Sequence, residues 1–122
     1  RSGYCLNVII YGKPDEIFGV EELLKAITSV KNVSVFESIE SVQGYQTLQD
    51  AGMILIDADN ETTDWQFLAR KFKEINNQVE IVLLSSRIDQ SVRAYEAGVF
   101  DYVLKPVKKK QLERVMAKAE YK

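Results

Sequence analysis

The chain has 122 residues, of which 46% are hydrophobic and 28% are charged, and its formal net charge is −2. This length suits one domain with one core, and the composition excludes a disordered or low-complexity chain. Because the charge is nearly balanced, no strong attraction to nucleic acid or to an anionic membrane is expected. The chain has no histidine and one cysteine, which excludes imidazole metal sites, Ser-His-Asp triads and intrachain disulfides.

The ends of the chain carry little information about its fold. No apolar run approaches the roughly 20 residues that a membrane-spanning helix needs, and no signal-peptide pattern is present. We therefore expect a cytoplasmic protein with a reduced cysteine and no membrane contact. The start at Arg1 without methionine and the stop at Lys122 suggest an excised fragment. Residues 1–5 are interpreted as a tag scar or disordered start, and residues 6–121 as one domain.

Five short apolar runs alternate with segments of helical periodicity. The runs are mostly continuous and rich in Val, Ile and Leu, as expected for strands that are covered on both faces. The predicted strands are Leu6–Tyr11, Val33–Phe36, Met53–Ile56, Ile81–Leu84 and Tyr102–Leu104.

The segments after these strands predict five amphipathic helices, because apolar residues recur at intervals of three or four. Gly98 is predicted to end the fourth helix. Strand–helix alternation with short connections requires parallel strands and right-handed crossovers. The sequence therefore predicts an α/β fold, a doubly wound five-stranded parallel sheet in a three-layer sandwich. The predicted buried stripes are Ile17, Val20, Leu23, Leu24 and Ile27; Val42, Tyr45 and Leu48; Trp65, Leu68, Ala69, Phe72 and Ile75; Val92, Tyr95 and Ala97; Leu112, Val115, Met116 and Ala119.

Polar side chains follow three of the predicted strands. Asp57 follows the third strand, Ser85 and Ser86 follow the fourth, and Lys105 follows the fifth. In doubly wound sheets the working site lies outside the carboxyl ends of the strands, so these side chains are expected to meet. A carboxylate can accept a phosphoryl group as an aspartyl phosphate, and an ammonium and a hydroxyl can hold the phosphoryl oxygens.

The stretch Val92–Val107, which reads VRAYEAGVFDYVLKPV, resembles the receiver domain of response regulators in the CheY-like superfamily. The segment Met53–Asp57 also supports this resemblance, and the region 95–107 is similar to receivers of LytTR-type regulators. The resemblance implies a flavodoxin-like (βα)5 fold and a cis peptide before Pro106.

The resemblance also implies roles for particular residues. Asp57 matches the phosphoacceptor, Lys105 the lysine that contacts the phosphoryl group, and Ser85 the hydroxyl residue after the fourth strand. Tyr102 matches the aromatic rotamer switch. Asp59 matches the position whose backbone carbonyl helps to hold Mg²⁺, so Asp57 and Asp59 at most are expected to bind a metal.

The sequence departs from the family at the acidic pocket. Tyr11 and Gly12 stand where the family places two acidic residues, and the loop after Asp57 lacks the usual methionine and proline. Asp15 and Glu16 would replace the acidic pair only if the first loop folded back over the strand ends. Asp57 with Lys105 alone has no net charge, so Mg²⁺ is expected to bind weakly if at all, and no other cofactor is predicted.

Two functional hypotheses remain, and neither describes an enzyme. In the first, a sensor histidine kinase or a small phosphodonor phosphorylates Asp57, and the signal reaches an output domain beyond Lys122 that regulates, for example, transcription. In the second, the chain is a pseudo-receiver that acts only as a protein-interaction or dimerisation module. A flavodoxin-like cofactor domain is disfavoured because no glycine-rich phosphate loop is present.

The surface expected to mediate docking or homodimerisation comprises the last two helices and the fifth strand. The run Lys108–Lys110 is interpreted as a solvated helix face rather than a nucleic-acid patch, because acidic residues follow it. Ser85 and Ser86 have an alternative interpretation as caps of the fourth helix, with Asp89 competing for that position. The residues named for the docking surface are Arg93, Tyr95, Tyr102, Lys109 and Arg114.

Overall fold

The computed structural model describes residues 5–15, 17–38, 40 and 42–121, without the side chains of residues 42 and 43. The proposed tag scar therefore lies, except for Cys5, outside the described residues. The strands are β1 (Leu6–Tyr11), β2 (Val30–Phe36), β3 (Met53–Asp57), β4 (Glu80–Ser85) and β5 (Asp101–Leu104). The helices are α1 (Val20–Lys25), α2 (Val42–Asp50), α3 (Trp65–Ile75), α4 (Ser91–Glu96) and α5 (Lys109–Glu120), and a 3-10 turn, Ile88–Gln90, precedes α4.

In the part of the chain that the structure describes, five parallel strands form one sheet with the order β2-β1-β3-β4-β5. The predicted doubly wound α/β fold is confirmed. The chain moves outward from β1 to β2, then crosses to the other side of β1 to form β3. This reversal places the carboxyl ends of β1 and β3 side by side, where a site is expected in such folds.

The core is built from alternate residues of the same strands, because successive side chains of a strand point to opposite faces. Met53 and Leu55 pack with α1 and α5, whereas Ile54 and Ile56 pack with α2, α3 and α4. β3 and β4 are buried along their whole length. The central strands are therefore rigidly held, and so are the residues at their carboxyl ends.

Two predicted boundaries are wrong at the edge of the sheet. Helix α1 begins at Val20, so Ile17 of the predicted stripe lies before the helix, because Gly19 has a φ of 90° and a left-handed residue cannot continue a helix. Strand β2 begins at Val30, three residues earlier than predicted, because an edge strand tolerates the polar side chains of Lys31 and Asn32.

The predicted buried stripe of α4 is also wrong, and Tyr45 of the predicted α2 stripe is 46% exposed. Val92 and Tyr95 are 68% and 48% exposed, and Ala97 is exposed, whereas Ala94 is fully buried. Val92 and Ala97 are five residues apart, which does not place them on one helical face. Gly98, with a φ of 90°, ends this segment as predicted. Within the described residues, no helix is long and apolar enough to cross a membrane.

Candidate functional site

The ends of β3, β4 and β5 bring the predicted polar residues to one place. Asp57 is the last residue of β3 and is paired with Leu84, next to Ser85, the last residue of β4. Lys105 directly follows β5, and its backbone N–H donates to the carbonyl of Ser85 at 2.8 Å. The peptide between Lys105 and Pro106 is cis, as the resemblance implied. Asp57, Ser85 and Lys105 thus lie together at the carboxyl edge of the sheet.

The carboxylate of Asp57 is only 1% exposed. Its Oδ1 accepts hydrogen bonds from Lys105 Nζ at 2.8 Å and from the backbone N–H of Asp59 at 3.0 Å. Its Oδ2 is buried and has no hydrogen-bond partner among the residues that the structure describes. Leaving a buried polar atom unsatisfied costs about 1–3 kcal/mol, so the fold retains this oxygen at a cost in stability.

The backbone of Gly12 lies close to the side chain that carries this unpaired oxygen. A Cβ atom built on Gly12 would lie 3.1 Å from Asp57 Cβ, 3.2 Å from Ile17 Cγ2 and 3.9 Å from Asp57 Oδ2. Because the first two distances are tighter than ordinary van der Waals contact, a side chain at Gly12 requires its neighbours to move. An acidic side chain would therefore fit only if Asp57 and Ile17 each moved by a few tenths of an ångström.

Tyr11, the other residue in place of the acidic pair, packs into the core. Its ring lies 5.7 Å from the ring of Phe72 in α3, measured between centroids. Burial raises the pKa of the Tyr11 hydroxyl, and the nearby negative charge of Glu40 raises it further. The hydroxyl therefore stays neutral near pH 7 and is not an anionic ligand for a metal.

Asp59 takes part through its side chain, which the sequence analysis did not foresee. Its Oδ1 accepts from Ser85 Oγ at 2.7 Å, and the backbone N–H of Ser86 donates to Oδ1 and Oδ2 at 3.1 and 3.0 Å. Lys105 Nζ lies 3.1 Å from Oδ2. Burial acts to raise the pKa of Asp59, but these hydrogen bonds outweigh it and hold the pKa below its ordinary value of 3.8. The Asp-x-Asp spacing after β3 was the available signal.

Lys105 joins the two carboxylates. Its ammonium contacts Asp57 at 2.8 Å and Asp59 at 3.1 Å. Burial acts to lower the pKa of Lys105, but both carboxylates favour the charged form and the net pKa is raised. Two carboxylates and one ammonium leave a net charge of −1, so the predicted net charge of zero from Asp57 and Lys105 alone is wrong.

The donors already bound to Asp57 and Asp59 leave few carboxylate oxygens for Mg²⁺. Magnesium requires near-octahedral coordination by oxygen atoms, commonly including one or two carboxylates with free lone pairs. Here the ammonium of Lys105 lies between the carboxylates of Asp57 and Asp59. Among the described residues, no group of three acidic, histidine or cysteine side chains is arranged to hold a metal ion. Asp15 is exposed, and Glu16 lies outside the described residues.

Ser85 and Ser86 do not cap the following helix. Ser85 Oγ accepts from the backbone N–H of Arg87 at 3.1 Å, and α4 has no side-chain cap. Asp89 pairs instead with Arg87, whose Nη2 lies 2.8 Å from the Asp89 carboxylate. The two serines thus hold the turn after β4 and contact Asp59.

Tyr102 lies under the same turn. It is 7% exposed, and its hydroxyl donates to the backbone carbonyl of Arg87. Tyr102 is therefore too buried to belong to an exposed docking surface, and its predicted place among the docking residues is wrong. Whether it acts as a switch stays a prediction from the resemblance.

A polar cleft of about 480 Å³ opens beside the site. Asp59, Ser86 and Arg87 are among its lining residues, together with Trp65, whereas Asp57 is not. The cleft therefore reaches the carboxylate of Asp59 but not that of Asp57.

Comparisons with known proteins agree with this geometry. The sequence model of the response regulator receiver domain matches residues 8–117, and the chain belongs to this family. Receiver domains are signalling modules that commonly bind Mg²⁺ in an acidic pocket and interact with histidine kinases and output domains. No curated protein sequence matches this chain.

Several solved structures share the fold. The response regulatory domain of mrkE from Klebsiella pneumoniae has a TM-score of 0.71 and 24% identity, covering 95% of this chain and 96% of that one. A response regulator receiver domain protein from Clostridium thermocellum has a TM-score of 0.73 and 18% identity, covering 94% and 93%. The isolated REC domain of RcsB from Salmonella enterica serovar Typhimurium, solved with the phosphomimetic BeF3⁻, has a TM-score of 0.72 and 22% identity, covering 93% and 86%. The resemblance to receivers of LytTR-type regulators stays an expectation.

Proposed function

We propose that this receiver domain signals through protein contacts without a magnesium-dependent phosphoryl group on Asp57. The observation that carries the proposal is the state of the Asp57 carboxylate. Its Oδ1 is bound by Lys105 and by the backbone of Asp59, and its Oδ2 is buried behind Gly12. A carboxylate that attacks a phosphoryl group must reach it in line, and neither oxygen offers an open approach.

The missing metal ligands support the same proposal. In phosphoryl transfer, Mg²⁺ neutralises charge on the transferring group, and about 4 kcal/mol of lost stabilisation slows a reaction roughly a thousandfold. The ammonium of Lys105 contacts Asp57 and Asp59 and neutralises one of their two charges inside the folded protein. In this proposal the ion pair between Asp57 and Lys105 stabilises the fold.

The docking surface we propose is the face of α4, β5 and α5. The exposed apolar side chains on or next to α4 are Ile88 and Val92, each 68% exposed, and Tyr95, 48% exposed. A second copy of the chain or a fused output domain would cover them. Sedimentation of the wild type and of Val92→Glu tests this surface, since a charged residue there should shift a dimer toward monomer and a monomer–dimer ratio unchanged by the substitution would contradict it.

Phosphorylation of Asp57 is the second candidate, and one observation favours it. Asp57 Oδ2 has no hydrogen-bond partner in the described part of the chain, which leaves it as a nucleophile if the first loop opens. A sensor histidine kinase or a small phosphodonor would then supply the phosphoryl group.

The experiment that separates the two candidates is treatment with acetyl phosphate and Mg²⁺, followed by intact mass measurement. We expect no phosphoryl adduct, and we expect no saturable change in the fluorescence of Trp65, which lines the cleft beside Asp59, during a millimolar Mg²⁺ titration. Asp57→Asn is the matched control. A labile adduct that forms on the wild type but not on Asp57→Asn would overturn the proposal.

A further inference from the structure

Three hydrogen-bond donors of different kinds converge on the side chain of Asp59. They are the hydroxyl of Ser85 at 2.7 Å, the backbone N–H of Ser86 at 3.0 Å and the ammonium of Lys105 at 3.1 Å. A hydroxyl, a backbone amide and an ammonium are the donors with which proteins hold tetrahedral oxyanions such as phosphate. Here both oxygens of an internal carboxylate accept from them instead.

The same contacts continue from Ser85 to the turn after β4. Ser85 Oγ donates to Asp59 and accepts from the backbone N–H of Arg87 at 3.1 Å. The carbonyl of Arg87 in turn accepts from the hydroxyl of Tyr102. A continuous series of contacts therefore runs from the Asp59 carboxylate to the buried ring of Tyr102.

We propose that Asp59 is a built-in oxyanion that fills a phosphate-type binding site and thereby holds Ser85, the β4–α4 turn and Tyr102 in one conformation. The inference rests on the proposed function in one respect: a domain that receives no phosphoryl group keeps the anion-bound arrangement by means of its own carboxylate. Asp59 is a positioning residue in this account, because it acts on Tyr102 through Ser85 and Arg87.

Two consequences distinguish this role from an ordinary surface ion pair. The wild type should bind a free oxyanion at Ser86 more weakly than a variant without the carboxylate, because the internal carboxylate is tethered beside the donors and outcompetes it. A variant without the carboxylate exposes the donors to solvent, since Asp59 and Ser86 line the cleft of about 480 Å³. That variant should bind inorganic phosphate and should recover the wild-type turn when it does so.

The test is a titration of Asp59→Ala with inorganic phosphate in the absence of Mg²⁺, followed by the amide chemical shifts of Ser86 and Arg87 and the ring signals of Tyr102. We expect the ring signals of Tyr102 to move away from their wild-type positions in the variant. Phosphate should then shift Ser86 saturably, with an affinity about tenfold or more above that of the wild type, and return Tyr102 toward its wild-type positions.

Glu61→Ala is the matched control. Glu61 is exposed in the same loop, so its substitution removes the same charge without freeing the donors that bind Asp59. If Glu61→Ala gains phosphate affinity as much as Asp59→Ala, the gain is a charge effect and the proposal is wrong. Unchanged Tyr102 signals in Asp59→Ala, or bound phosphate that does not restore them, would also overturn it.

Asp59→Asn keeps the proposal testable if Asp59→Ala does not fold. The amide retains one acceptor oxygen for Ser85 but competes more weakly for Lys105, so its phosphate affinity should lie between those of the wild type and Asp59→Ala. Equal affinity for Asp59→Asn and the wild type would contradict the account. This readout needs no adduct on Asp57, so it succeeds or fails independently of the mass measurement that tests the proposed function.

Discussion

Asp57 and Asp101 are equally buried, each 1% exposed, but their carboxylates are satisfied differently. Asp101 Oδ1 accepts from the Tyr95 hydroxyl at 2.7 Å and from the backbone N–H of Tyr102 at 2.8 Å, and its Oδ2 accepts from Arg114 at 3.2 Å. In the described part of the chain, Asp57 has partners only on Oδ1. Asp101 opens β5, whereas Asp57 ends β3 at the opposite edge of the sheet.

The difference in hydrogen bonding distinguishes an aspartate that stabilises the fold from one that lies at the carboxyl edge of the sheet, where sites are expected. At Asp101 both oxygens are bonded to α4, β5 and α5, so the carboxylate joins three elements of the fold. At Asp57 the carboxylate is held from one side by Lys105, and Gly12 closes the other. A cluster built for stability has no reason to leave an oxygen unpaired, so the arrangement at Asp57 fits the phosphoacceptor position that the resemblance predicts.

The largest effect is expected from Lys105→Met. This substitution leaves Asp57 buried without a cation and beside a second carboxylate, and it should lower the free energy of unfolding by about 3 kcal/mol. Urea denaturation measures the change. Adding Asp57→Asn should recover roughly half of the loss, because a neutral amide costs less to bury than an unpaired charge. A double variant no more stable than Lys105→Met would show that the Asp57–Lys105 pair is not the source of the loss.

The next effect compares the two buried aspartates directly. Asp101→Asn places an NH₂ group against Arg114 or Tyr95 and should cost about 2 kcal/mol, because a buried hydrogen-bonded network is broken. Asp57→Asn should cost less, about 1 kcal/mol or below, because one of its oxygens makes no hydrogen bond in the described structure and Lys105 retains Asp59. Paired urea denaturation curves test the order, and equal losses would remove the distinction between the two sites.

Gly12→Ala tests whether the wall beside Asp57 is closed. The added methyl group must displace Asp57 or Ile17, whose nearest atoms lie at 3.1 and 3.2 Å, and it should cost about 1 kcal/mol. Thermal unfolding of the variant measures the change. A variant as stable as the wild type would mean that the space is free and that an acidic residue would fit there.

The smallest effect is in the pH dependence. The pKa of Asp59 lies below its ordinary value of 3.8 when the protein is folded, so its contribution to stability is present above that value and is lost as the pH falls through the folded pKa. Stability should therefore decline more steeply on acidification in the wild type than in Asp59→Asn. Urea midpoints at neutral pH and below 3.8 give the comparison. Parallel curves would show that the hydrogen bonds to Asp59 contribute little in solution.

Much of this fold was predictable because the signal lies in continuous apolar strands. β3 and β4 are buried throughout, so their hydrophobic runs admitted one interpretation. The misplaced start of β2 concerns an edge strand, where Lys31 and Asn32 break the apolar pattern. The prediction of which α4 residues are buried was wrong because a six-residue helix has too few positions to define a helical period.

The sequence predicted which residues lie together at the site, but it did not predict the hydrogen bonds between them. Strand ends placed Asp57, Ser85 and Lys105 together, because their positions follow from strand order alone. The side chain of Asp59 was missed because its direction depends on the turn after β3 and on donors 26 or more residues away. The Asp-x-Asp spacing marks Asp59 as a candidate but does not specify its hydrogen-bond partners.

The most direct test of the whole account is a crystal structure of the wild type grown with Mg²⁺ and beryllofluoride. We expect the Asp59 carboxylate to stay on Ser85 Oγ, Ser86 N and Lys105 Nζ, with no beryllofluoride on Asp57 and no Mg²⁺ beside it. Beryllofluoride bonded to Asp57 Oδ2, with the side chain of Asp59 turned out into solvent, would contradict the account.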